Sequence, residues 1–179
     1  MKKIYIILTY TGTMLSKLIK VYTKNDFSHV SIALDSGLKE MYSFGRKRTY
    51  NPFIAGFVHE CKNEGIYKRF QNTQSKIIEL EINDNQYEEL KNNIIKFKNT
   101  HVHYRFNFIG LCAVGLHIRV KRKYHFYCAE FVKYILENSD IDIDLPELVK
   151  PEDFNEINDG KIIYNGILNR YEEQNIKVC

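Results

Sequence analysis

Apolar residues change period along this chain, and the changes mark out its elements. Lys3 to Tyr10 is β-branched and aromatic, which predicts a buried strand. Val30, Ile32 and Leu34 then alternate with His29, Ser31 and Ala33, so Phe27 to Leu34 predicts a strand with one aliphatic face and one small polar face. Asp35-Ser36-Gly37 reads as a hairpin turn, with Leu38 to Phe44 returning beside it. Ile78, Leu80 and Ile82 alternate with Glu79 and Glu81 in a further strand, Ser75 to Ile82. Helical spacing appears elsewhere. Tyr87, Leu90, Ile94 and Phe97 line one face of a helix capped at Asn83 or Asp84 and ending near Asn99. Thr13 caps a short helix carrying Leu15, Leu18, Ile19 and Tyr22. Asn107 opens an apolar helix to about Ile118. Phe131, Val132, Ile135 and Leu136 recur at the spacing of a helix that starts at Cys128 and ends near Asn138. Between Asn51 and Phe70 no period is clear; Phe53, Ile54, Phe57 and Val58 fit a strand or an irregular excursion. A turn of helix from Pro151 to Ile157 and a last strand, Lys161 to Tyr164, close the pattern. Roughly six strands and four helices without regular βαβ alternation predict an α+β fold, an antiparallel sheet packed against helices. Residues 1–179 are expected to form one domain.

Composition narrows the function classes. Apolar content of 44% and charged content of 27% are ordinary for a globular chain, and the net charge is +4. The basic runs Arg46-Lys47-Arg48 and Arg119 to Lys123 lack a nucleic-acid module signature; they read as solvated faces or as guides for an anionic substrate or headgroup. The apolar run after Met1-Lys2-Lys3 is too short for a secretory leader and reads as the first strand. Phe106 to Ile118 is too short to span a bilayer. The four cysteines, at 61, 112, 128 and 179, have neither paired nor C-x-x-C spacing, which argues against a disulfide framework and a zinc site. Reduced thiols in a cytoplasmic setting are expected.

One cysteine has a chemically distinctive position. Cys128 falls at a predicted helix start, after the aromatic stretch Tyr124 to Tyr127. The first N–H groups of a helix lack intrahelical partners and carry partial positive charge. They favour a thiolate, and they can hold the oxyanion of a tetrahedral intermediate. Such a nucleophile needs a base within hydrogen-bond reach, and the base needs an orienting partner. Among six histidines, His29 stands alone on the small polar strand face, where Ser31 and Ala33 leave room for another group. His125 lies three residues before Cys128, on the wrong side of the turn. His59, with Glu60 and Cys61, falls in the region without clear period and reads as surface or accessory pocket. His101, His103 and His117 look structural or exposed.

Phe27-Ser28-His29-Val30-Ser31-Ile32 in a hairpin, followed about a hundred residues later by Phe126-Tyr127-Cys128-Ala129-Glu130-Phe131-Val132, resembles the circularly permuted papain-like hydrolases of the NlpC superfamily. The closest likeness is to the YiiX/YaeF branch, with lecithin retinol acyltransferase-like proteins as cousins. The resemblance spans roughly residues 3 to 138, with an insertion at about 46–120 between the His hairpin and the Cys helix. It implies a five- or six-stranded antiparallel sheet on the Cys helix, Cys128 as nucleophile and His29 as base, and no metal or organic cofactor. It also implies a third, polar residue on the strand after the His strand. With Ser36-Gly37 as a two-residue turn, Glu40 opposes Ala33, roughly 13 Å from His29 along the strand, and Tyr42 opposes Ser31. Glu40 is the better orienter chemically, Tyr42 is nearer, and a one-residue shift would offer Ser43 instead. Tyr10 and Thr11 are candidates for the pocket rim, and Glu130 suits the positive helix end as a cap. The expected activity is hydrolysis of a small amide or peptide-like substrate through an acyl-enzyme. Lipid acyl transfer or phospholipid cleavage on the same fold is the alternative, with a binding module that lacks turnover as the third.

Overall fold

A computed structural model describes residues 1–13, 16–17, 20, 26–100, 104–115, 118 and 120–172. Its centre is a six-stranded antiparallel sheet: β1 (Lys2–Tyr10), β2 (His29–Ala33), β3 (Met41–Arg48), β4 (Asn51–Glu60), β5 (Gln74–Ile82) and β8 (Lys161–Ile167), in the order β4-β3-β2-β1-β5-β8. Four helices accompany it among the described residues: α1 (Gly65–Arg69), α2 (Asp84–Asn99), α3 (Phe108–Gly115) and α4 (Cys128–Glu137). The class is therefore α+β, as the lack of βαβ alternation predicts. No helix among the described residues is long and apolar enough to cross a membrane.

Both sheet faces are covered, which is why β1 is apolar on both sides. Ile4, Ile6 and Leu8 point into the larger core, and Tyr5 and Ile7 into a smaller one on the opposite face. The larger core is built on α4, whose Phe131, Val132, Ile135 and Leu136 are all fully buried against Val30, Ile32 and Phe44. Aromatic rings from five elements and from the segment just before Arg105 meet there: Phe44, Phe57, Phe97, Tyr104, Phe126 and Phe131 pack mostly tilted or edge to face. The smaller core gathers Ala33, Leu38, Met41, Tyr67, Ile77 and Leu168.

Helix starts are set by local side chains. Asn83 accepts from Gln86 N at 2.9 Å, and Gln86 Oε1 accepts from Asn83 N at 3.0 Å, a reciprocal cap on α2. Asn107 Oδ1 caps α3 through Gly110 N at 2.9 Å. Thr13 Oγ1 accepts from Ser16 N at 3.2 Å, as a cap should, while Leu15, Leu18, Ile19 and Tyr22 lie outside the described residues. Two short parallel strands, β6 (Arg105–Phe106) and β7 (His125–Phe126), pair just before α3 and α4 and hold the two helix starts side by side.

The stretch without clear period resolves into β4, the small helix α1 and their connections. As one of the two outer strands of the sheet, β4 has no strict alternation of burial, so its sequence carries no strong period. The β2–β3 turn also differs from the two-residue reading. Its register pairs Ile32 with Tyr42 and Ala33 with Met41, so the chain turns over residues 34–40. The Asp35 carboxylate accepts from Lys39 N and from Glu40 N, the latter at 2.7 Å. The left-handed residue is Leu38, at φ 55°, and its side chain is fully buried in the smaller core. Burial of that leucine sets the wider turn.

Candidate active site

The turn register decides which residues face His29. Continued along the ladder, Ile32 against Tyr42 places Ser43 opposite Ser31 and Gly45 opposite His29. Gly45 eases the approach: a Cβ would crowd the cluster, lying 3.3 Å from His29 Cε1, from Glu60 Oε1 and from Ser43 Oγ. The missing side chain lets the imidazole lie over β3 and reach the carboxylate of Glu60, the last residue of β4. His29 Nε2 is 3.2 Å from Glu60 Oε1 and 3.4 Å from Oε2. Ser31 Oγ donates to Glu60 Oε2 at 2.7 Å, and Tyr67 OH reaches the same oxygen at 3.5 Å. Thr9 Oγ1 contacts Tyr67 OH at 3.5 Å. Ser43 Oγ is buried beside this carboxylate with no hydrogen bond within 3.5 Å, yet close enough to favour its ionised form.

Cys128 and His29 line one cleft with Thr11, Ser28, Glu60 and Tyr67, close enough for the sulfur to favour the charged imidazole. Cys128 is the first residue of α4, 3% exposed, after Tyr127 in an extended conformation. Glu130 accepts from Tyr127 N at 3.3 Å and so serves the helix start as a cap. Charge in the cluster is strongly coupled. Burial works against the charged imidazole, but the Glu60 carboxylate and then the Cys128 sulfur overcome it and raise the His29 pKa from 6.5 to about 10. Burial likewise disfavours the Glu60 anion, while His29, Ser31 and Ser43 hold its pKa below the ordinary value. The side chains of His29 and Glu60 keep 20% and 11% of their surface, so their attraction is little screened and the ring is still reachable from the cleft.

Of the candidate residues, Cys128 and His29 are brought together. Glu40 and Tyr42 are not. Glu40 is exposed at the far end of the hairpin, in the turn organised by Asp35. Tyr42 points to the opposite sheet face, where it stacks on Phe57 and packs against His59. Both placements follow from the one-residue difference in register, which puts every β3 side chain on the other face from the two-residue reading. The carboxylate beside His29 is Glu60, one strand farther out. Its signal in the sequence was an acid at the end of an apolar stretch that returns against Leu38 to Phe44. His59 is turned outward, to Lys39 O at 3.1 Å. His125 is bound to Lys123 O at 2.8 Å, and His101, His103 and His117 lie outside the described residues. Thr11 lines the cleft, whereas Tyr10 packs under Lys20, whose Nζ is 5.0 Å from its ring centroid.

A thiol at a helix start, an imidazole in the same cleft and a carboxylate beside the imidazole are the groups that a nucleophile, an acid/base and an orienter would require. Among the described residues no group of three or more His, Cys, Asp or Glu side chains is placed to hold a metal ion. Neither a protein-family model nor a curated protein matches this chain.

Proposed function

We propose that the protein is a cysteine hydrolase of amidase type, with the permuted papain-like architecture of the NlpC superfamily. The observation that carries this reading is the meeting of Cys128, His29 and Glu60 in one cleft at the start of α4, with His29 bonded to Glu60. The order of elements supports the family assignment: the His strand precedes the Cys helix, and an antiparallel sheet packs on that helix.

In the proposed cycle the Cys128 sulfur attacks the scissile carbonyl as a thiolate, its proton resting on His29. The C=O electron pair moves to oxygen, and the oxyanion is held by N–H groups at the start of α4. Collapse breaks the C–N bond, and the His29 imidazolium gives its proton to the departing amine. A water then loses a proton to His29 and attacks the thioester. Breakdown releases the carboxylic acid and regenerates the thiolate and imidazolium. Glu60 keeps the ring turned toward sulfur and stabilises its positive charge throughout.

An electrophilic thiol probe tests the pair. Cys128→Ala abolishes labelling at this position, and His29→Ala slows it strongly at neutral pH; equal labelling of the His29→Ala protein would sink the reading. A screen of amides and esters with the labelled position as control then identifies the reaction.

One observation favours a second reading, acyl transfer from or hydrolysis of a lipid ester by the same groups. Phe53 is 80% and Ile109 56% exposed, and Phe53 packs on Phe108, a residue of the cleft wall. Vesicle binding that disappears in Phe53→Ser and Ile109→Ser would support the lipid reading over the amidase.

A further inference from the structure

Arg46 follows Gly45 on β3, and strand alternation puts it on the face that carries Phe44, the face packed by α4. Its side chain lines the same cleft as Cys128 and His29 and is partly buried. Among the described residues it forms no ion pair; the described pairs use Lys3, Lys20, His29 and Lys133 instead. Its hydrogen bond goes to a neutral acceptor, from Nη2 to Thr13 Oγ1 at 2.6 Å. Thr13 is itself fixed, accepting from Ser16 N at 3.2 Å and lying 3.3 Å from Thr11 Oγ1. A hydroxyl orients a guanidinium but cannot neutralise it, and a guanidinium has five N–H donors in a rigid fork. Burial is the influence that lowers its pKa, with no acidic side chain acting to raise it. The charge is thus held in the cleft, oriented and without a counter-ion from the described residues.

We propose that Arg46 anchors a carboxylate of the substrate, so that the amide or ester cleaved here carries a free carboxylate near its scissile bond. This rests on Cys128 being the nucleophile. A carboxylate fits better than a phosphate dianion because the cleft offers one guanidinium. Besides the His29 imidazolium, its described lining has no second cation; its other polar groups are the hydroxyls of Thr11, Ser16, Ser28 and Tyr67, the Cys128 thiol and the Glu60 carboxylate, which is paired with His29. A planar carboxylate also matches the fork geometry of a guanidinium.

Matched pairs of alkylating agents test the anchor: iodoacetate against iodoacetamide, and 3-iodopropionate against its amide. Each displaces iodide with the thiolate and forms a thioether, so only the carboxylate differs within a pair. N-acetylcysteine in free solution is the reference thiol, because Cys61 borders a second cleft that Arg46 and Lys47 also line. For at least one length, the acid-to-amide rate ratio at Cys128 should exceed that of N-acetylcysteine by about tenfold or more, the worth of a charge-assisted hydrogen bond. Arg46→Gln should bring the ratio to the N-acetylcysteine value, and Arg46→Lys should restore part of it. In the unmodified protein, propionate should compete with the acid reagent and propionamide should not, which decides the matter even where Arg46→Gln fails to fold. Alkylation of Cys128 with no preference for either acid, or a preference that survives Arg46→Gln, overturns the anchor and leaves the nucleophile standing. Failure of all four reagents to reach Cys128 overturns both.

Discussion

The two faces of β2 and β3 are held by different forces. On one, Val30, Ile32, Tyr42 and Phe44 lie under α4 within a cluster of interlocking rings. On the other, Ser31 and Ser43 surround the Glu60 carboxylate, and Gly45 makes room for it. Both faces are buried, but the first gains stability by removing hydrocarbon from water, and the second holds ionised groups whose desolvation opposes folding unless they are paired. The ring cluster fixes where α4 lies, and so where its first residue lies. The carboxylate fixes how the imidazole meets that residue. A side chain taken from the first face should act on stability, and one taken from the second on chemistry.

The largest expected effect is on chemistry. Glu60→Gln keeps the size of the side chain but removes the charge that orients and stabilises the His29 imidazolium. Turnover should fall by about 10⁴-fold, the scale known for loss of an orienting carboxylate. Its unfolding free energy should drop by less, about 1–3 kcal/mol, the worth of hydrogen bonds to a charged group. Steady-state rates and urea melts on one preparation separate the two. On the ring side, Phe131→Ala should cost about 3–5 kcal/mol in urea unfolding, because a buried ring is deleted from a packed cluster. A loss below 1 kcal/mol there would mean that α4 is not seated by its aromatic contacts.

pH reads the charged face more gently. The folded His29 pKa is raised from 6.5 to about 10, so its contribution is complete below 6.5 and is lost as pH rises through 10. Glu60 is depressed below 4.5, so its contribution is present above 4.5 and is lost as pH falls through its folded value. The urea midpoint should therefore decline from pH 6.5 to 10, and Glu60→Gln should flatten that slope. The smallest effect belongs to Glu40→Gln, which should change neither probe labelling nor stability beyond about 0.5 kcal/mol, as for other exposed positions.

Elements with strong periods were legible in the sequence. β1, β2, β5, α2 and α4 carry their patterns because each buries one continuous face or two, and Cys128 was visible because an aromatic strand gives way to a helix at that residue. The partner of His29 was hidden for two local reasons. Ser36-Gly37 has the chemistry of a tight turn, but the buried Leu38 takes the left-handed conformation and Asp35 organises a wider loop. The register moves by one residue, and Glu40 and Tyr42 move away from His29 with it. Glu60 lies on a strand whose outer position erases the alternation that would have announced it.

β4 has a single hydrogen-bonded neighbour, and the carboxylate that binds His29 belongs to its last residue. Outermost strands open at lower free energy than central ones, so hydrogen exchange in β4 should outpace that in β1. Each such excursion would detach the acid from the imidazole while the sulfur stays seated in the core. The protein would then switch off by fraying at its margin, well before it melts.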